Sequence, residues 1–235
     1  MRSTRRLTVG SLGAIIPVFA IAGIVEASGL DLALQDRFFD PAGKQWLIDA
    51  RSAGGRFFFY TGPKFLLASF AGCLIALLVG PESWRQRTSE RGWFASRKHL
   101  FCVLACASGI PLTVSFLKAT SGVFCPSELQ RYGGTAPYRS PFAPRAEGEP
   151  SGRCWPAGHA SGGFALLALL PASRDKRRVR QVTYLGLAAG FLMGGYQMLK
   201  GAHFLSHTLV TLGIAMSFVA IGGALLKEHR KAHPS

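Results

Sequence analysis

Residues 204–226 read FLSHTLVTLGIAMSFVAIGGALL, a stretch that contains no Lys, Arg, Asp or Glu. A helix needs about 20 mostly apolar residues to cross the hydrocarbon core of a bilayer, so this stretch predicts a transmembrane helix. Similar apolar runs precede it at residues 7–25, 57–79, 100–117, 156–171 and 182–199. The sequence therefore predicts an all-α, polytopic membrane protein, with six transmembrane helices in a single domain over residues 1–235.

The composition excludes several classes of protein. Hydrophobic residues make up 49% of the 235 residues and charged residues only 17%, which is too apolar for a disordered chain. Five cysteines in a chain of this length do not make a disulfide-rich mini-protein. The chain has 27 Lys and Arg against 12 Asp and Glu, and its net charge is +15. Because these cations fall mostly between apolar runs, they indicate membrane topology, and no nucleic-acid partner is predicted.

The positions of Lys and Arg predict the orientation in the membrane. Six helices place both termini on one side, and the basic clusters fall on that same side, at residues 2–6, 85–98, 174–180 and 227–231. Cytoplasmic loops carry an excess of Lys and Arg, so this side is predicted to be cytoplasmic. We expect an integral protein of a bacterial inner membrane, whose outer face is periplasmic.

The first apolar run allows two interpretations. Residues 7–25 follow a basic start and could form a signal peptide, with residues 20–22, Ala-Ile-Ala, as a cleavage site. They could equally form the first membrane-spanning helix. We favour the retained helix, because five more spans follow it and need no cleaved leader.

Two long loops are predicted on the outer face. Residues 26–56 form either a segment that lies on the membrane surface or, as we favour, a simple connector. Residues 118–155 are rich in Pro, Gly and Tyr, and a loop of this length is often functional.

Ionisable side chains collect at the outer ends of the last four predicted helices. They are Lys118, His159, Lys200, His203 and His207. Ionisable groups at membrane depth are costly and mark functional sites, although any one of these alone could be an interfacial anchor. Their convergence predicts the active site of the protein, at the outer face.

Two local patterns suggest how an anion would bind. Residues 155–163 read WPAGHASGG, and the backbone of Ala157 and Gly158 lies where a loop becomes a helix, with free N–H groups for a phosphate. In the second pattern, Lys200, His203 and His207 are spaced to share one face of a helix. The two histidines could also bind a metal, but the Glu of an H-E-x-x-H motif is missing and Lys200 adds positive charge, so no metal is predicted.

These patterns carry a family resemblance. Lys118 is followed after six residues by Cys-Pro at 125–126, residues 156–159 read Pro-Ala-Gly-His, and His203 is followed after three residues by His207. The order and spacing resemble the three motifs of the type 2 phosphatidic acid phosphatases, membrane relatives of the vanadium haloperoxidases. The resemblance also covers the six-helix layout, over residues 57–226.

The resemblance implies a mechanism without a cofactor or metal. His203 would attack phosphorus and form a phosphohistidine, and His159 would protonate the leaving oxygen. Lys118 would bind the phosphate oxygens. An imidazole suits either role near neutral pH, and fixed cations stabilise the charged transition state.

The chain departs from the family motifs at four positions. Cys125 and Gln197 stand where the motifs have arginine, Ala157 stands where they have serine, and His207 stands in place of an aspartate. We expect Lys200 to supply lost positive charge, with Arg131, Arg139 and Arg153 as alternatives. His207 is the candidate to orient His203 by accepting a hydrogen bond, and Glu128 is the alternative.

Cys125 and Cys154 are predicted to form a disulfide. Both lie in the long outer loop, which faces an oxidising compartment in a bacterial membrane of this orientation. The bond would tie the first motif to the second, whereas two free thiols are the alternative. The other three cysteines lie in apolar runs and are interpreted as small buried residues.

The sequence thus predicts an enzyme whose partners are the bilayer and a lipid substrate carrying a phosphate or diphosphate. A phosphatase that acts at the outer leaflet is the first hypothesis. A phosphotransferase, in which another hydroxyl captures the phosphohistidine, is a variant of it. A non-catalytic lipid-phosphate binding or transport protein is the alternative from another class, favoured by the missing arginines and opposed by the two retained histidines.

Overall fold

The computed structural model describes residues 3–91, 96–144, 148–173 and 175–232, and a helix covers each of the six apolar runs apart from residues 156–157 and 204. Two shorter helices lie in the connections. In chain order the helices are α1 Ser3–Ala27, α2 Leu30–Asp36, α3 Ala53–Val79, α4 Glu82–Glu90, α5 Arg97–Thr120, α6 Gly158–Ala172, α7 Lys176–Leu199 and α8 Leu205–Ala232.

Length and apolar composition identify three of these helices as membrane spans within the described chain. They are α3, α5 and residues Leu205–Lys227 of α8. Residues Gly13–Ala27 of α1 and the whole of α2 are bent by 66° relative to each other, and they make a fourth span if the pair is counted as one. Helix α6 is short, and α7 begins with basic residues and contains four glycines. These helices indicate a membrane protein, and the arrangement with six spans stays a prediction.

Helices α5, α6 and α8 form the centre of the bundle. Their contact is apolar: Ile110 from α5, Phe164 from α6 and Ala215 from α8 belong to one buried cluster. Helix α1 packs along α8, and α7 packs along α6. Burying these apolar faces against one another brings together the ends of helices that are distant in sequence.

Small residues allow α6 and α7 to touch along their backbones. A Cβ atom at Gly163 would lie 2.4 Å from the backbone N of Gly190, and one at Gly190 would lie 2.1 Å from the ring of Phe164. Close backbone contact of this kind is typical of helix pairs in membranes. It fixes the beginning of α6 next to the end of α7. We call the end of the bundle where these two helix termini lie the site end.

The connection between α1 and α3 is an ordered structure, and our interpretation of it as a simple connector was wrong. After α2 the chain forms a hairpin of two short antiparallel strands, β1 Phe39–Asp40 and β2 Gln45–Trp46, which the all-α prediction missed. The rings of Phe39 and Trp46 lie 5.3 and 5.1 Å from the ring of Tyr132 in the other long loop. The hairpin forms because these aromatic side chains bury one another.

Candidate active site

Five predicted side chains meet at the site end of the bundle. Lys118 lies in the last turn of α5, His159 in the first turn of α6, Lys200 directly after α7, His203 in the turn before α8 and His207 in the first turn of α8. The ring centroids of His159 and His203 are 6.2 Å apart, and those of His203 and His207 are 5.8 Å apart. A Cβ atom at Gly158 would lie 3.8 Å from Lys118 Nζ, so this ammonium lies beside the beginning of α6.

His203 is the most enclosed of these groups. Its side chain is fully buried, and the residue is only 1% exposed. Burial, followed by His207, Lys118 and His159, lowers the pKa of the His203 ring well below its usual value. The ring is therefore neutral near pH 7, which is the state in which an imidazole nitrogen can act as a nucleophile.

Cys154 lies against His203. His203 Nδ1 is 3.4 Å from Cys154 Sγ, and that sulfur is bonded to Cys125 Sγ. A disulfide sulfur carries no proton, so it can only accept a weak hydrogen bond from Nδ1–H. The backbone of Cys154 also hydrogen-bonds the His203 ring, so both the sulfur and the main chain of Cys154 hold this imidazole in place.

The other proposed orienting groups have different contacts. His207 is buried, and its Nδ1 has no hydrogen-bond partner among the residues that the structure describes. Glu128 is exposed, and its carboxylate accepts a 2.6 Å hydrogen bond from the Cys125 N–H, so it stabilises its own turn. The sulfur of Cys154 is thus the atom in contact with His203 Nδ1.

Ala157 does not offer its N–H to a ligand, contrary to the prediction that it binds phosphate. It is fully buried, and its N–H donates a 3.2 Å hydrogen bond to the carbonyl of His207. The hydroxyl of Thr211 donates to the carbonyl of Ala157 as well. These bonds fasten the beginning of α6 to the first turn of α8, and Gly158 is left as the predicted phosphate-binding residue of this turn.

Two of the arginines proposed to replace the lost charge are engaged elsewhere. Arg131 forms a bidentate ion pair with Asp36 on α2, and Arg139 pairs with Glu149. Lys200 instead lies near the site and interacts electrostatically with His159. Burial, and then the positive charge of Arg56, lower the pKa of the Lys200 ammonium.

Helix α3 adds three residues that our reading of the sequence missed. The ring of Tyr60 lies 5.3 Å from the ring of His159, and Lys64 Nζ lies 3.8 Å from the centre of the Tyr60 ring. Arg56 interacts electrostatically with both Tyr60 and Lys200. The available signal was the presence of charged residues in and beside the apolar run at 57–79, because ionisable residues at membrane depth often mark functional sites.

Helix α2 holds the segment that carries His203. The carboxylate of Asp31 is buried and accepts hydrogen bonds from the N–H and hydroxyl of Ser206, the N–H at 3.0 Å. Gln35 Nε2 donates a 2.7 Å hydrogen bond to the carbonyl of His203. Neither residue could be identified from the sequence, because nothing in a linear sequence connects positions that are about 170 residues apart.

Gln197 stands where the family motif has an arginine, and it is fully buried. Neither its side-chain nitrogen nor its oxygen has a hydrogen-bond partner within the described ranges. A buried amide without partners is costly, so this side chain is available to bind a ligand group or water.

One group of potential metal ligands occurs among the described residues. Ligand atoms of Cys154, His203 and His207 lie within 4.8 Å of one another. The ligating form of cysteine is the thiolate, and here the sulfur is part of a disulfide. Two imidazoles then remain, close to the positive charge of Lys118, so this donor set does not fit a divalent cation well.

Removing the disulfide should lower activity in two separable ways. Cys125→Ala removes the disulfide but keeps the Cys154 sulfur beside His203. Cys154→Ala removes both the disulfide and this sulfur. Loss of the disulfide should cost about 2–4 kcal/mol of stability in each variant. We expect kcat to fall about tenfold further in Cys154→Ala than in Cys125→Ala, because only the former also loses an oriented imidazole.

The matched control is the pair Cys102→Ala and Cys106→Ala, since these buried cysteines are free thiols on α5. Both controls should retain kcat. Equal kcat values for Cys125→Ala and Cys154→Ala would rule out the orienting contact. Alkylation of the denatured wild-type protein should modify three thiols without reductant and five with it.

Comparison with known proteins supports the resemblance seen in the motifs. The family model described as the PAP2 superfamily matches residues 98–229, more than half of the chain. Searches of curated proteins and of solved structures gave no match. The matched region contains Lys118, His159, Lys200, His203 and His207, whereas Arg56 and Lys64 lie outside it. The chain belongs to the PAP2 superfamily, whose members are phosphatases that act on phosphate esters.

Proposed function

We propose that this protein is a metal-independent membrane phosphatase that hydrolyses a lipid phosphate or diphosphate through a phosphohistidine. The observation that carries the proposal is the buried, neutral His203, which contacts the disulfide through Nδ1 and lies near His159 and Lys118. A protein that only binds phosphate needs cations and N–H donors. It has no need for a fully buried imidazole held in place beside a second imidazole.

The reaction follows from the roles of these side chains. His203 Nε2 attacks phosphorus, so that an N–P bond forms while the P–O bond to the leaving group breaks. His159 donates a proton to the leaving oxygen and then accepts one from the water that hydrolyses the phosphohistidine. Lys118, Lys200 and the backbone at Gly158 stabilise the negative charge on the phosphoryl oxygens.

The surroundings of the site favour a lipid substrate. Exposed apolar side chains lie on the same stretch of α3 as Tyr60: Phe57 is 59% exposed, Phe58 is 70% exposed and Phe65 is 72% exposed. Aromatic side chains next to cations are typical of the membrane–water interface. A lipid could place its phosphate beside His159 and His203 while its tails stay in the bilayer along α3.

The orientation is part of the same proposal. The described basic residues at 85–91, 97–98 and 176–180 lie at the opposite ends of the helices from the site, which supports a site at the outer, periplasmic face of an inner membrane when the six runs all span it. The substrate would then be a lipid of the outer leaflet.

The first experiment is phosphate release by the detergent-purified protein from a panel of lipid monophosphates and diphosphates, with and without EDTA. We expect release that is unchanged by EDTA, because the charge in the site comes from side chains. Rapid acid-free quenching with radiolabelled substrate should trap phosphate on the protein in an alkali-stable, acid-labile form. Loss of release in EDTA that Mg²⁺ restores would contradict the metal-independent mechanism.

The same panel tests the alternatives. The missing arginines at positions 125 and 197 favour a non-catalytic lipid-phosphate binder. Substrate binding by folded protein without phosphate release would support that function and contradict the hydrolase. Transfer of radiolabel to an added acceptor lipid, in preference to water, would identify a phosphotransferase.

A further inference from the structure

Arg56, Tyr60 and Lys64 share one face of α3. They are four residues apart across the π-helical turn Phe57–Thr61, in which each hydrogen bond joins residues five apart, so their side chains lie close to one face of the helix. The next face of the helix is fixed to α7, because Phe59 stacks on Tyr196 with ring centroids 4.0 Å apart. This stacking turns the face with the two cations towards His159, whose ring is 5.3 Å from the ring of Tyr60.

This face places more positive charge at the site than one phosphate requires. Lys118 and Lys200 together match the two charges of a phosphate monoester. Lys64 and Arg56 add two more, since Lys64 interacts electrostatically with His159 and Arg56 with Lys200. None of the four salt bridges found among the described residues involves any of these cations. The exposed carboxylate of Glu128 interacts electrostatically with Lys118.

Like charges grouped without acidic partners repel one another, and an anionic ligand relieves that repulsion. Arg56 and Lys64 are exposed side chains in the first turns of α3, so an anionic group of a lipid can reach them from the membrane–water interface. We propose that Arg56, Tyr60 and Lys64 form a second anion subsite, for an anionic group next to the phosphate that His203 attacks. The proposal rests on the phosphatase function proposed above and narrows its substrate class to lipids with two neighbouring anionic groups.

The subsite also has a chemical role when the second group is a phosphate. With a lipid diphosphate, His203 Nε2 bonds to the terminal phosphorus and the P–O bond to the bridging oxygen breaks. The leaving group is then the lipid monophosphate, on which negative charge increases as the bond breaks. Lys64 and Arg56 would bind this group, so their contacts strengthen in the transition state. A monophosphate lipid has no group to occupy them.

The test uses farnesyl diphosphate and farnesyl monophosphate, which share one tail, with the full-length protein. Lys64→Ala and Arg56→Ala should each lower kcat/KM for the diphosphate about tenfold and change that for the monophosphate less than about threefold. The matched controls are Lys176→Ala and Arg177→Ala, exposed residues at the other end of α7. An equal fall in kcat/KM for both substrates would overturn the subsite. Unchanged kcat/KM for both substrates would also overturn it.

A second arm identifies the source of the anionic group. A glycerophospholipid with a terminal phosphomonoester and an internal phosphodiester replaces the diphosphate. If Lys64→Ala and Arg56→Ala lower kcat/KM for this lipid but not for the diphosphate, the subsite binds a headgroup phosphodiester. If they lower kcat/KM for the diphosphate but not for this lipid, the subsite binds a second phosphoryl group. Either result supports a second anion subsite.

A binding measurement separates failure of the subsite from failure of the phosphatase function. In the His203→Ala background, farnesyl methylenediphosphonate should bind about tenfold more weakly when Lys64 is also replaced by alanine, and farnesyl phosphonate should bind equally well. Wild-type protein that releases phosphate from no lipid would contradict the phosphatase. The difference between the two phosphonates would still support the subsite, and its absence would overturn it.

Discussion

Replacing His203 by alanine is expected to lower kcat for phosphate release by a factor of about 10⁴ or more. The substitution removes the proposed nucleophile, and no other side chain that we place at the site lies where it could replace it. His159 is 6.2 Å away between ring centroids and is assigned to proton transfer, so it cannot take over attack on the same phosphorus. Nucleophile replacements of this kind typically leave only the rate enhancement that comes from binding and charge stabilisation.

The measurement is single-turnover phosphate release with the substrate that ranks first in the panel. Substrate binding should be largely retained, because Lys118, Lys200 and Gly158 are untouched. His203→Gln is a useful companion, since glutamine fills more of the buried cavity and keeps a hydrogen-bonding group. Both variants should fail to trap phosphate on the protein. Retention of more than about 1% of wild-type kcat by folded His203→Ala would contradict nucleophilic catalysis by this residue.

Lys118→Ala is expected to lower kcat/KM by about 10²–10³-fold. The ammonium lies beside the beginning of α6, where a Cβ atom at Gly158 would be only 3.8 Å from Nζ. It is half-buried and therefore screened less by solvent than a surface lysine. Loss of one fixed donor to a developing oxyanion typically costs this much.

Steady-state kinetics of Lys118→Ala, Lys118→Arg and Lys176→Ala would test this prediction. Lys118→Arg keeps the positive charge but replaces a compact ammonium with a planar guanidinium. It should therefore retain more activity than Lys118→Ala and less than the wild-type protein. Lys176 is exposed at the beginning of α7, and its replacement should change kcat/KM less than about twofold. If Lys118→Ala behaved like Lys176→Ala, Lys118 would have no role in phosphate binding.

The helices were predictable from the sequence because their signal is local. Each predicted apolar run coincides with a helix, apart from residues 156–157 and 204, which precede the first helical residue. The hairpin at β1 and β2 was not predictable, because its strands have only two residues each. It is stabilised by contacts with Tyr132, a residue about 90 positions away, and no pattern within residues 39–46 encodes that contact.

The site was predictable only in part for a similar reason. His159, His203 and Lys118 could be identified because their motifs have characteristic spacing along the chain. Arg56 and Lys64 have no such spacing relative to the motifs, and they reach the site through the stacking of α3 on α7. Ala157 matched a motif position, but its N–H is used by the His207 carbonyl on another helix.

The amino-acid sequence by itself determined the class of protein and the family, since hydropathy and motif spacing are properties of short segments. It also determined which side chains are able to do the chemistry. Only the tertiary structure decided which groups surround His203. The Cys154 sulfur, the amide of Gln35 and the cations of α3 come from segments far apart in the chain, and their positions depend on how the helices bury their apolar faces against one another.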